Sequence, residues 1–303
     1  MRKRFLYSIV IFSLLFPYVT LAQKDSSKIF RNRKIFLLGS SSVVSAGSLA
    51  YLYSVWFSQY NTGKFHFFDD SKEWLQMDKC GHVLTNFQIS NLMMKSFKWA
   101  GYNKKQSVFI GGTIGITYMT LIEAMDGMSS GWGFSWSDMG ANTLGTALSM
   151  SQELAWSEQR INLKFSYHPT DFPKHRPELL GKNSTENILK DYNGQTYWLS
   201  ISPFAFFSKD RKLPRWLAVS IGYGADGMLG AFYNNVAVID EQGNVTNYSR
   251  ERQMYASLDV DLSKINTKNK FLRALFNTIN IVKIPAPTIE WQNGKTKFYY
   301  FYF

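Results

Sequence analysis

The chain changes its pattern near residue 160. Before that point, long uncharged stretches alternate with short polar ones, whereas after it the apolar runs shorten and turn residues multiply. Long apolar stretches favour packed helices, and short runs between turn residues favour antiparallel strands. The pattern therefore predicts an α+β chain, with an N-terminal apolar helical bundle of about four helices followed by a C-terminal antiparallel β-rich region.

Four stretches carry the helical prediction. Residues 35–57 contain no formally charged side chain and could span a bilayer, although their serines suit a buried core helix equally well. The other candidates are residues 82–99, 107–122 and 137–154. Two polar pairs, Asp70 with Glu73 and Ser135 with Asp138, have the spacing of a capping box at a helix start.

The second half predicts strands. Residues 254–262 alternate strictly between apolar and mostly polar side chains, which is the period of a half-buried strand. Residues 236–248 favour a hairpin, residues 271–279 have helical spacing, and residues 196–207, 216–223 and 297–303 are further strand candidates. The aromatic C-terminal run resembles the last strand of outer-membrane barrels. A small sheet packed on the helices is the alternative.

The N-terminal residues have the layout of a secretory signal peptide. A basic start over residues 2–4 precedes an apolar run over residues 5–18, and the small Ala22 closes the segment. Because the run is too short for a comfortable bilayer span, we expect cleavage after Ala22 and a mature start at Gln23. An uncleaved N-terminal anchor is the alternative. The expected location is the cell envelope, in the periplasm or outer membrane and associated with a membrane.

The charge of the chain bears on its partners. The formal charge is +12, and removal of the three basic residues 2–4 leaves +9 (12 − 3). In an exported protein we expect no nucleic acid partner. Membrane lipids or lipopolysaccharide are the expected partners, because their anionic groups attract Lys and Arg. Protein partners are not predicted, and the single cysteine, Cys80, excludes an internal disulfide.

Seven polar residues are predicted to share one end of the helical bundle. Short connections make consecutive helices antiparallel, so the start of the second helix, the end of the third and the start of the fourth come together. These residues are Asp78, Lys79 and His82 on the second helix, Glu123 and Asp126 on the third, and Asp138 and Asn142 on the fourth.

Two interpretations of this cluster stay open. In the functional one, the catalytic groups are His82, Asp78, Glu123 and Asp138, and the substrate-binding groups are Lys79, Asp126 and Asn142. In the structural one, the same groups cap helix ends and pair with one another. An open pocket would favour an enzyme, whereas closed mutual pairs would favour a structural role.

The sequence predicts no metal and no cofactor at this cluster. One histidine with several carboxylates suits divalent ions, and His82, Glu123, Asp126 and Asp138 are chemically able to bind one. With a single histidine and no regular ligand spacing, however, the pattern does not predict a metal site. Cys80 is expected to be a small core residue rather than a nucleophile.

Three motifs in this region resemble an uncharacterised family of predicted periplasmic (lipo)proteins, the YfiM-like family. A more distant similarity links the same layout to VanZ-like membrane proteins. The resemblance covers residues 55–160. The motifs are Asp78-Lys79-x-Gly81-His82-x-x-Thr85, Glu123-x-x-Asp126-Gly127 and Ser135-x-Ser137-Asp138-x-x-Ala141-Asn142-x-x-Gly145.

The resemblance implies an envelope location and a helical core but no specific reaction. This chain departs from the family in two ways: no lipid-anchor cysteine lies near the predicted cleavage point, and a long strand-rich half follows the helices. The expected domains are a signal peptide (1–22), a helical domain (23–160), an irregular connection (161–195) and a β-rich region (196–303).

The expected function is that of an exported, membrane-associated envelope protein with a structural or interaction role. The alternative is an enzyme or binding protein that acts on an anionic lipid or lipid-linked envelope substrate at the His/Asp/Glu cluster.

Overall fold

The computed structural model describes residues 26–303 except 59, 61, 208–211, 236–237 and 240–244. The predicted signal peptide lies outside the described residues. The chain divides into two compact units, and the helical unit ends at Gln159. The α+β class is confirmed, with eight α-helices and a six-stranded antiparallel sheet among the described residues.

The helical unit contains all four predicted helices, each longer than its prediction. They are α1 (Ser26–Leu52), which continues into a π-helical turn (Tyr53–Phe57), α2 (Met77–Trp99), α3 (Lys104–Met128) and α4 (Trp136–Trp156). A capping box that the sequence analysis missed starts α3, because the side chains of Asn103 and Gln106 each accept a hydrogen bond from the other residue's backbone amide.

Glycines bring the helices of the bundle close together. A Cβ atom added to Gly111 on α3 would collide with the backbone of Met94 on α2. A Cβ added to Gly145 on α4 would collide with the carbonyl oxygen of Val83. These two positions require glycine because helix backbones meet there.

The buried face of α4 is polar. Its buried side chains include Asp138, Asn142, Thr146, Ser149, Gln152 and Glu153. Large apolar side chains of the same helix are exposed instead, among them Leu144 at 60% and Trp136 at 70%. This arrangement is the reverse of the apolar stripe by which a helix of a water-soluble protein faces its core.

The second unit is built on an antiparallel sheet with the strand order β1-β2-β3-β6-β7-β8. The strands of this sheet are β1 (Ile161–Tyr167), β2 (Gln195–Ile201), β3 (Leu217–Asp226), β6 (Glu251–Val260), β7 (Ala286–Gln292) and β8 (Lys295–Tyr302). The predicted hairpin is present as two short paired strands, β4 (Val238–Ile239) and β5 (Val245–Thr246). Among the described residues this sheet has six strands, whereas outer-membrane barrels usually have at least eight.

The segment expected to be an irregular connection differs from its prediction. Residues 161–195 begin with the whole of β1 and continue into three short helices, α5 (Phe172–His175), α6 (Pro177–Leu180) and α7 (Ser184–Lys190). Pro173 and Pro177 stand in the first turns of α5 and α6, where the missing amide hydrogen is not needed. The helical spacing of residues 271–279 corresponds to α8 (Lys270–Ile279).

Two neighbouring rows of side chains cross all six strands of the sheet and differ in chemistry. The first, here called the apolar row, contains Leu163, Leu199, Ile221, Ala256, Ile289 and Phe298 in register. The second, here called the polar row, contains Asn162, Ser200, Ser220, Ser257, Thr288 and Tyr299.

The polar row faces the interior of the unit, and the apolar row faces outward. Ser200 is fully buried, whereas Ile221 and Phe298 are both 56% exposed. The predicted strand at residues 254–262 is β6, and its buried face carries Tyr255 and the polar side chains rather than the apolar ones. The sheet is therefore inverted relative to that of a water-soluble protein.

A buried ion group completes the polar interior of this unit. Asp259 on β6 lies between two ammonium groups, 3.0 Å from Lys164 Nζ and 3.7 Å from Lys283 Nζ. All three side chains are fully buried. Ser200 and Ser220 donate hydrogen bonds to the same carboxylate. A buried ion group of this kind is stable only when its charges are paired and hydrogen-bonded.

Two helices are long and apolar enough to cross a membrane, judged by length and composition. Within the described residues these are Lys28–Phe57 and Lys104–Met128, whose most apolar 18-residue windows are 6% and 33% buried. The first of them contains the stretch that the sequence analysis considered for a bilayer span.

Candidate functional site

The ends of α2, α3 and α4 bring the predicted site residues together around His82. Its Nε2 atom lies 3.8 Å from an oxygen of Asp78 and 3.8 Å from an oxygen of Asp138. Its Nδ1 atom lies 3.2 Å from Asn142 Oδ1 and 3.5 Å from Glu123 Oε1. The convergence follows the predicted connection lengths, whereas the catalytic and binding roles of these residues stay predictions.

Lys79 forms the centre of a charge network at this end of the bundle. Its Nζ atom lies 2.8 Å from Asp70, 2.9 Å from Asp78 and 2.6 Å from Asp138. Burial alone would lower the pKa of Lys79, but the charges of Asp78 and Asp138 raise it above its ordinary value. The ammonium group therefore stays charged and holds three carboxylates from different segments of the chain.

Asp70 belongs to the site, although the sequence analysis assigned it a capping role. Its carboxylate accepts hydrogen bonds from Ser135 and Ser137 and pairs with Lys79. Burial favours its neutral form, but hydrogen bonds with Asp138, Lys79 and the two serines outweigh burial and lower the pKa of Asp70 to about 2. In the sequence, the feature that could have indicated this contact is the motif that contains Ser135 and Ser137.

The capping predictions are half correct. The Ser135 hydroxyl accepts a hydrogen bond from the Asp138 amide at the start of α4, as predicted. The Ser135 amide, however, donates to Glu123 at 3.4 Å instead of to Asp138. For the pair of Asp70 and Glu73, the backbone carbonyl of Asp70 accepts the Glu73 amide, because the Asp70 side chain is engaged elsewhere.

A left-handed turn leads into α2 and positions the network. Trp74, Leu75 and Gln76 have φ values of 46°, 52° and 67°. Non-glycine residues in this region cost about 1–3 kcal/mol each, and such strain often lies at functional sites. The turn places the charged start of α2 beside the segment that carries Asp70.

The loop between α3 and α4 is joined to the preceding segment by backbone hydrogen bonds. Phe134 donates to the carbonyl of His66, and Phe68 donates to the carbonyl of Phe134. Around this pairing, Phe65, Phe67, Phe134 and Trp136 stack or meet edge to face. The loop is thus joined to its neighbouring segment, and these four residues form an aromatic surface that we call the aromatic cluster.

The site carries more negative than positive groups. Its five carboxylates face one lysine and one histidine, and Asp126 interacts electrostatically with the other acids. Burial and the negative charge of Asp78 raise the pKa of Asp138, while the charge of Lys79 acts in the opposite direction. The arrangement therefore favours protons or cations near Asp138.

The mutual pairs favour a structural role over an open catalytic pocket. The side chains of Lys79 and His82 are only 12% and 14% exposed, and each lies beside carboxylates from neighbouring segments. Burial and the charge of Asp78 raise the pKa of Cys80 to about 11. The neutral thiol is a poorer nucleophile than the thiolate, and Cys80 is of intermediate burial.

Comparison with known proteins gives one match. Residues 66–153 match a family model described as "Predicted periplasmic lipoprotein (DUF2279)". No curated protein and no solved structure matches the chain. The similarity to VanZ-like proteins stays a prediction. The matched segment contains the charge network and most of the helical unit, so this is a cell-envelope protein whose helical unit carries the signature of an uncharacterised family of predicted periplasmic lipoproteins.

Proposed function

We propose that this protein is an integral membrane component of the cell envelope with a structural or interaction role, and that the outer face of its sheet contacts lipid. The apolar row is the observation that carries the proposal. It runs through all six strands in register and includes Ile221 and Phe298, each more than half exposed. An exposed apolar surface of this continuity is unfavourable in water.

The buried side of the sheet supports a lipid environment. Asp259, Lys164 and Lys283 occupy the interior, where a water-soluble sheet would place its apolar core. Polar residues inside and apolar residues outside are the pattern of strands that face hydrocarbon. Contact with lipid explains why the polar residues lie inside and why the apolar residues lie outside, whereas contact with water explains neither.

Two helices of the helical unit, α4 and α1, show the same inversion independently. The buried face of α4 is polar while Leu144 is exposed, and α1 exposes Ile35 at 64% and Val43 at 72%. Helices that meet through glycine and bury their polar side chains are typical of membrane bundles. Contact with lipid therefore accounts for the exposed apolar side chains of both units.

The aromatic cluster and the charge fit a bilayer surface. Phe67 is 61% exposed and Trp136 is 70% exposed, at the end of the bundle that holds the polar network. Aromatic side chains are enriched where apolar and polar layers of a membrane meet. The excess of basic residues favours anionic head groups as neighbours.

Membrane extraction tests the proposal on the full chain. We expect the protein to stay in the membrane fraction through high salt and alkaline carbonate, and to be released by detergent. Release by salt or carbonate alone would show a peripheral protein and contradict the proposal.

Protease protection in liposomes tests the contribution of the sheet. We expect the sheet unit to resist trypsin in the unaltered protein and to be cleaved after the double change Ile221→Glu and Leu258→Glu, because both side chains face outward. The matched change Asn266→Glu, at an exposed polar position, should leave protection intact. Equal protection of all three proteins would exclude lipid contact through this face.

A further inference from the structure

The cluster around His82 contains a set of atoms suited to a metal ion. Asp78, His82 and Asp138 each offer one ligand atom, and the three atoms lie within 4.8 Å of one another. We propose that this triad binds a first-row divalent cation. One imidazole with two carboxylates is a ligand set that Zn²⁺ and Mn²⁺ accept.

The surroundings of the imidazole ring point to a cation. Nδ1 lies 3.2 Å from Asn142 Oδ1 and 3.5 Å from Glu123 Oε1. On the opposite side of the ring, Nε2 lies 3.8 Å from a carboxylate oxygen of Asp78 and 3.8 Å from one of Asp138. Nε2 and these two oxygens therefore surround one position for an ion, while Asn142 and Glu123 hold the other side of the ring.

Glu123 provides a second, independent observation. Its side chain is 1% exposed, and its Oε1 atom accepts no hydrogen bond from any described residue. This oxygen is directed at His82 Nδ1. A metal-binding histidine commonly has a carboxylate at its other nitrogen, which fixes the ring orientation and makes the ligand nitrogen more basic. Glu123 is placed for that supporting role.

The geometry requires a small contraction on binding. Metal–ligand bonds of about 2.0–2.2 Å bring ligand atoms to roughly 3.3 Å from one another, whereas Nε2 now lies 3.8 Å from each carboxylate oxygen. Lys79 pairs with Asp78 through Oδ2, whereas the Asp78 oxygen that faces His82 is Oδ1. At Asp138, Lys79 and the cation share Oδ1, so the ammonium group moderates the affinity.

Titration of the purified full chain in detergent with Mn²⁺, and separately with Zn²⁺, tests the proposal. We expect saturable binding of one equivalent. Pulsed electron paramagnetic resonance of the Mn²⁺ form should show coupling to one imidazole nitrogen. His82→Ala and Asp138→Asn should each weaken binding at least tenfold. Glu153→Gln should leave binding unchanged, because Glu153 is a buried acid of α4 that pairs with Lys98 rather than with the triad.

Two results would overturn the proposal. The first is the absence of saturable binding by the folded, unaltered protein. The second is Mn²⁺ binding without nitrogen coupling, which would place the ion on carboxylates away from His82. Because this spectrum is recorded on the unaltered protein, the test holds even if His82→Ala fails to fold.

Discussion

At the scale of single residues, Lys79 determines whether the end of the bundle holds together. It is the shared partner of Asp70, Asp78 and Asp138, which come from three different segments. The sequence predicted the convergence of Lys79 with Asp78 and Asp138, because it needs only helix direction and connection length. It did not predict that Asp70 joins this network, because Asp70 and Glu73 have the spacing of a capping box at a helix start.

Replacing Lys79 tests this role. Lys79→Met leaves three carboxylates without their common partner, so we expect the free energy of unfolding to fall by about 3–5 kcal/mol. Chemical denaturation in detergent, followed by circular dichroism, measures the change. Lys104→Met is the matched control, because Lys104 is exposed and caps the carbonyl of Leu154. Equal, small effects of the two substitutions would show that the network does not stabilise the bundle.

At the scale of helices and strands, the long apolar stretches were sufficient to predict α1–α4. The strands were harder, because β1 and β7 are short and lie beside residues that favour turns. The alternation of β6 was predicted, but its orientation was not. A period of two is the same whichever face is buried, so the sequence alone does not tell an inverted sheet from an ordinary one.

Two glycines of α4 provide a test of helix packing. A Cβ at Gly145 would collide with the Val83 carbonyl, whereas a Cβ at Gly140 would meet no atom of the other described residues within 4 Å, apart from the backbone of its own helix. We expect Gly145→Ala to destabilise the bundle by about 1–3 kcal/mol through overpacking. Gly140→Ala should stabilise it by up to about 1 kcal/mol, because alanine is the better helix former.

Thermal unfolding of both variants in the same detergent gives the comparison. A Gly145→Ala protein that melts at or above the midpoint of the Gly140→Ala protein would contradict the close approach of α4 to α2.

At the scale of the whole molecule, the two units share one property that the sequence of neither half reveals. Each buries polar side chains and exposes apolar ones, as α4 and the apolar row illustrate. The amino-acid composition indicated that the protein associates with a membrane, but it did not indicate which surface contacts the membrane. The apolar content of a chain is the same whichever side chains face outward. The assignment of a surface needed the strand register.

Lipid contact of the apolar row is the central claim, and site-directed spin labelling measures it most directly. In a Cys80→Ser background, nitroxide labels would replace Ile221, Leu258 or Phe298 in the full chain reconstituted in lipid, with Lys268 as the aqueous control site. Oxygen concentrates in hydrocarbon, whereas a water-soluble nickel chelate is excluded from it. We predict faster relaxation by oxygen than by the nickel chelate at the three outward sites and the opposite at residue 268. Strong relaxation by the nickel chelate at all four sites would show that the apolar row faces water and would contradict the account.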